Sequence, residues 1–144
     1  MIDPLISIRL PGRRSYAPGQ EITWHYQIDA VRSGEVAAIE ASVLWYTIGK
    51  GESDLSVLFF ERRVPGQTEV GDLREMRSVR LTLPPTPLSY DGVLLKIRWC
   101  ARVRLFLRSG REFLEEQVFR LGNVRPARAV VGPGQQLTTV AETP

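Results

Sequence analysis

The side chains able to do chemistry are few: one histidine, His25, one cysteine, Cys100, and a basic row formed by Lys96, Arg98, Arg102 and Arg104. A single histidine excludes a multi-histidine metal site, and a Ser-His-Asp triad would have to use His25 with partners that nothing in the chain places beside it. Cys100 and His25 form the only available Cys-His pair. Strand parity puts Cys100 among the basic residues, however, and gives no reason for the two to meet. Cys100 therefore reads as a small residue under a neighbouring loop. The stretch "GKGES" at residues 49–53 lacks the four residues that a phosphate loop needs between its first glycine and Gly-Lys-Ser/Thr, and no helix follows it. A hairpin loop accounts for it. No acid, base or nucleophile set can be assembled, so the chain is expected to be non-enzymatic, with no catalytic residue, cofactor or metal.

Binding chemistry has more to draw on. Lys96, Arg98, Arg102 and Arg104 alternate with apolar residues, so an extended strand would hold all four on one face. That face suits an anionic ligand, a membrane surface or a nucleic acid. Its plainer alternative is a solvated face in which Arg104 meets Glu115 or Glu116 across the last hairpin, a pair contributing only about 0.2–1 kcal/mol. Nineteen basic against sixteen acidic residues leave a formal charge of +3, too small a surplus to imply nucleic acid. Lys50 and Lys96 are the only lysines, and a GC-rich genome produces the same arginine bias without any function. A second candidate surface comes from two aromatic pairs, Trp45-Tyr46 and Phe59-Phe60. Adjacent residues in a strand point to opposite faces, so one member of each pair is expected outward, as a modest apolar patch for a partner or as the floor under a loop.

The elements that must position these residues are strands. Period-two alternation runs from end to end: Ile6, Ile8 and Leu10, then Ile22, Trp24, Tyr26 and Ile28, then residues 36–48, where small residues would also suit a helix but "SVLWYTI" decides for strand. "LSVLFFERRV" makes a fourth strand, residues 65–76 a loop, and "RSVRLTL" a fifth strand. In the sixth and longest, Val93, Leu95, Ile97, Trp99, Ala101, Val103, Leu105 and Leu107 share a face. "FLEEQVFRL" returns as a seventh, its Glu115-Glu116-Gln117 run pointing to a bulge. About seven strands with turn signals between them and no amphipathic helix predict an all-β, immunoglobulin-like two-sheet sandwich. Residues 1–122 form that domain, and 123–144, rich in proline, glycine and small polar residues, are expected to be a flexible tail or linker.

A sandwich requires the chain to change sheets, and "LPPTPLSYDG" before the longest strand fits that crossing. Pro84, Pro85 and Pro87 remove backbone donors and favour an extended path, so pairing stops at Leu83. Asp91-Gly92 turns the chain into the sixth strand, and Tyr90 is expected to bury its ring there with its hydroxyl bonded to nearby backbone.

"YAPGQEI" ahead of the second strand, together with "LPPTPLSYDG" and "KIRWCARVRL", resembles the N-terminal domain of the arrestin-like superfamily. That superfamily includes arrestins, a retromer subunit and bacterial sporulation-control proteins. The resemblance covers roughly residues 5–122 and implies an adaptor whose partners are proteins. There is room for one sandwich only, so a two-domain clasp does not carry over, and no phosphate-sensing residue can be matched. With a single cysteine no intrachain disulfide can form. Nothing approaches the roughly 18 apolar residues of a membrane span, and the N-terminus has no apolar leader pattern. A cytoplasmic location is the resulting expectation.

Overall fold

A computed structural model describes residues 3–51, 53–66 and 72–122, and the backbone of 129–130 and 138–139. The expected architecture is present: two antiparallel-rich sheets pack face to face with no α-helix among the described residues. The smaller sheet orders β1 (Leu5–Arg9), β3 (Glu21–Asp29) and β6 (Arg77–Thr82) as β1-β3-β6. The larger orders β2 (Ser15–Tyr16), β9 (Glu112–Leu121), β8 (Leu95–Leu107), β4 (Val36–Gly49) and β5 (Leu55–Arg63) as β2-β9-β8-β4-β5, with β7 (Tyr90–Asp91) on the start of β8. The seven longer strands fall where alternation puts them. Of the expected tail, only β10 (Ala129–Val130) and β11 (Thr138–Thr139), which pair with each other, lie within the described residues.

The core is the meeting of the two inner faces. Ile6, Ile22, Trp24, Tyr26, Ile28 and Val79 from the smaller sheet pack against Ile39, Ala41, Val43, Trp99, Val103, Leu105 and Phe119 from the larger. Burying alternate apolar residues on both sheets fixes the register, because a one-residue slip would turn every one of them to solvent. Two bulges adjust the pattern. One, at Ala37, lets Val36 and Ile39 both face inward. The other, opposite Val43 and Leu44, makes Leu58 an extra residue of β5.

Pairing of β8 with β9 runs without interruption from Trp99↔Phe119 to Phe106↔Glu112, so the bulge expected at Glu115-Glu116-Gln117 is absent there. The acidic run tolerates regular pairing because β9 lies toward the sheet's side, where Glu115 stays exposed even in an inward-parity position. β8 starts at Leu95 rather than Val93, and Val93 and Leu95 are 57% and 40% exposed. These first positions of the alternating series extend past the smaller sheet's cover and do not join the core.

The proline segment carries the chain from the smaller sheet to the larger. Leu83 still exchanges backbone bonds with Gln20 and Gly19, after which Pro84 and Pro85 offer no donor and pairing ends. The carbonyl of Pro87 accepts the indole N–H of buried Trp99 at 2.7 Å, so the crossing segment also satisfies the largest polar side chain of β8. Ser89 then ties the segment to the end of β9: its N–H donates to the Leu121 carbonyl, and its hydroxyl accepts from the Leu121 N–H, both at 2.8 Å. Tyr90 is half-buried, its ring lying where a side chain on Gly92 would collide with it. The hydroxyl that bonds back to nearby backbone belongs instead to Tyr16 of β2, which donates to the Pro11 carbonyl at 2.6 Å and sets its ring at a tilt of 57° against that of Phe119. The corner expected at Tyr90 is thus built at Tyr16, because β2 pairs beside the buried end of β9 whereas β7 pairs beside the exposed start of β8.

Candidate functional site

The outer face of the larger sheet, the one turned away from the smaller sheet, carries every residue singled out from the sequence as a binding candidate except Trp45 and Phe59. Register defines its rows. Val57, Leu44, Cys100 and Val118 lie abreast on β5, β4, β8 and β9. The next row is Phe60, Ser42, Arg102 and Glu116, and beyond it come Arg62, Glu40, Arg104 and Leu114. On the other side Leu55 and Tyr46 stand beside Arg98, and Ile48 beside Lys96.

The aromatic pairs divide as strand geometry requires. Trp45 and Phe59 turn inward and pack on the core, while Tyr46 and Phe60 turn outward. Which phenylalanine goes inward is decided by the bulge at Leu58: strict alternation from Leu55 and Val57 would have sent Phe59 out and Phe60 in. Tyr46 and Phe60 are not direct neighbours. The row of Val57 and Leu44 lies between them and joins them into one apolar strip.

Four large apolar side chains in the six residues 55–60 are exposed: Leu55 by 56%, Val57 by 48%, Leu58 by 40% and Phe60 by 56%. These values set β5 apart, because β5 is also the edge of its sheet, and no described strand pairs its far side. A long apolar edge is the kind of surface that proteins ordinarily blunt or cover. Leu44 and Cys100, in the same row but nearer the sheet centre, are buried. The strip therefore sinks toward the middle, and small Ser42 leaves a trough of about 150 Å³ there. Leu55, Val57 and Phe60 form its apolar wall, Arg102 and Arg104 form the opposite one, and Glu40 and Leu44 join Ser42 along β4 between them.

The basic row is on one face as expected, but its charges differ in circumstance. Arg102 donates through Nε to Glu116 at 2.7 Å, so Arg102, rather than Arg104, makes the cross-hairpin ion pair. Arg104 stands opposite Leu114 because the register is unbulged. Glu40, the carboxylate opposite Arg104, is held by Arg62 at 2.5 Å. Among the described residues Lys96, Arg98 and Arg104 make no salt bridge.

Cys100 is buried on this outward face, between Leu44 and Val118 and within electrostatic reach of Glu116, Arg102 and Arg98. Burial first, and the Glu116 carboxylate second, push its thiol up to about 11, where it is a poor nucleophile at neutral pH. His25 faces outward from the smaller sheet, its Nδ1 2.8 Å from Ser78 Oγ. The core thus separates the one histidine from the one cysteine. "GKGES" joins β4 to β5 as a hairpin loop, with Thr47 and Asp54 bonded across its base. Among the described residues no cluster of three or more potential metal ligands occurs, and no helix is long and apolar enough to cross a membrane.

Leu55, Val57, Leu58 and the Ser42 floor were not among the residues singled out from sequence. The available signal was "LSVLFF", an apolar run too continuous for a strand with one wet face.

A scan against protein-family models finds no match, and a search of curated proteins finds none either. Among solved structures, a protein assigned as ApaA from Bordetella pertussis is similar at 18% sequence identity, with 83% of this chain and 94% of that chain covered and a TM-score of 0.31.

Proposed function

We propose that this chain is a non-enzymatic protein-interaction module that engages its partner through the outer face of the larger sheet along β5. The observation that carries this is the exposure of Leu55, Val57, Leu58 and Phe60 on an edge strand. Apolar side chains in that density gain from being covered, and the unpaired backbone beside them can take part in the cover. An arrestin-like affiliation belongs to the same proposal, supported by the Pro-Gly turn ahead of β3 and the proline crossing ahead of β8. Glu40 and Glu116 stand within the cationic rows, which weighs against the rival reading of a face for nucleic acid, membrane or another polyanion.

The test compares proteins captured by the full chain with those captured by a Val57→Ser, Phe60→Ser variant, after unfolding curves show that both are folded. Loss of specific partners in the variant is the expected result, with capture little changed by salt. Capture that survives the double substitution, or that collapses at moderate salt and follows the arginines alone, would overturn it.

A further inference from the structure

The trough beside β5 is two-sided, and its two sides ask for different things. Leu55, Val57 and Phe60 present apolar surface, while Ser42 at the floor leaves space of about 150 Å³, the size of one large apolar side chain. Across that space stand Arg102 and Arg104. The carboxylates on this face are already engaged: Glu116 by Arg102 and Glu40 by Arg62. Arg104 is left without a salt bridge among the described residues, half-buried at the trough wall. Three arginines on this face, Arg62, Arg102 and Arg104, stand against two carboxylates, Glu40 and Glu116, and a ligand that supplies one more carboxylate balances the excess charge.

Resting on the interaction reading above, the geometry points to a partner of defined chemistry: a segment of another protein that seats one aliphatic or aromatic side chain over Ser42 and places an Asp or Glu carboxylate against Arg104. Charge argues against the two nearest alternatives. A second copy would bring the same cationic wall on a chain of net charge +3. Residues 123–144 contain Arg125 and Arg128 against the single acidic side chain of Glu142, the wrong balance for this wall. Arginine suits the role because its planar fork meets a carboxylate with two parallel bonds, which lysine cannot do.

The inference is tested by selecting displayed random peptides of about twelve residues on the immobilised full chain, and by titrating a fluorescent copy of the winning peptide into wild type, Ser42→Leu, Arg104→Gln and Arg104→Lys. Ser42→Leu fills the floor while leaving the sequence of β5 unchanged, and Arg104→Gln removes the charge while keeping a polar side chain. The winners should carry a Leu, Phe or Trp with Asp or Glu within three residues. Ser42→Leu and Arg104→Gln should each weaken binding by about tenfold or more, with Arg104→Lys between them and wild type. Winners rich in Lys or Arg, no enrichment, or full affinity in Arg104→Gln would overturn it. So would a dimer in sedimentation equilibrium that Phe60→Ser dissociates, since a second copy would then occupy the face. If no acidic preference appears but Val57→Ser, Phe60→Ser still abolishes capture of cellular proteins, only the peptide chemistry fails. If capture survives, the interaction face itself is wrong.

Discussion

Trp99→Phe should destabilise the fold more than Trp24→Phe, although both tryptophans are fully buried in the same core. Trp99 is 1% exposed and Trp24 0%, so solvent contact does not distinguish them. Their indole nitrogens do. Trp99 donates to the Pro87 carbonyl at 2.7 Å, whereas the Trp24 indole N–H has no hydrogen-bond partner among the described residues. Phenylalanine is smaller by roughly 40 Å³, and at about 24 cal/mol per Å³ such a void costs about 1 kcal/mol at either site. Lost transfer energy adds about 1 kcal/mol. At Trp99 a hydrogen bond also disappears and strands the Pro87 carbonyl, for about 1–2 kcal/mol more. At Trp24 the substitution removes an unpaired buried donor and so recovers about 1 kcal/mol or more. The totals are about 3–4 kcal/mol for Trp99→Phe and about 1 kcal/mol for Trp24→Phe. In a sandwich of this size a 2–3 kcal/mol gap separates the two melting temperatures by about 10 °C. Urea unfolding followed by far-ultraviolet circular dichroism, with the slope checked for constancy, measures both. Equal costs, or a larger cost at Trp24, would refute the role given to the proline crossing as the acceptor for the core.

Gly92→Ala should destabilise by about 2 kcal/mol or more, because its new Cβ meets the Tyr90 ring and the backbone carbonyl of Leu95, which cannot move without opening the β7–β8 hairpin; hydrogen exchange of residues 90–97 should rise with it, and unchanged exchange would contradict that packing. Phe59→Ala should cost several times more stability than Phe60→Ala, since Phe59 packs on the core and Phe60 is 56% exposed; reversed costs in thermal melts would mean that the bulge lies elsewhere. The Cys100 thiol should resist disulfide reagents at pH 8 in the native protein and react at once in denaturant. Its folded pKa of about 11 stands above the ordinary 9.0, so between those values the unfolded chain releases the proton while the fold retains it. Stability therefore falls as pH rises through that window, by up to about 1.4 kcal/mol per unit from this group. A Cys100→Ala variant should lose less stability between pH 9 and 11 than wild type, and identical alkaline slopes would count against the buried thiol.

Alternation alone determined that the chain is two layers of strands. Ile22 through Ile28 and Trp99 through Leu107 can bury one side chain in two only as extended backbone, and prolines 84, 85 and 87 forbid continued pairing wherever they fall. The single histidine and the single cysteine likewise ruled out a multi-histidine metal site and an intrachain disulfide before any geometry was known. Local pattern could not decide which of two equivalent neighbours turns inward. Phe59 and Phe60 are identical in type, and their fates depend on one extra residue, Leu58, whose bulge is set by pairing with β4. Nor could it tell that Arg102 rather than Arg104 meets a glutamate, since that follows from the register across the last hairpin. The trough is a further step removed: its floor, its apolar wall and its cationic wall come from β4, β5 and β8. Only tertiary pairing brings three strands abreast, so a surface with two unlike sides is a property of the fold that no single stretch of sequence contains.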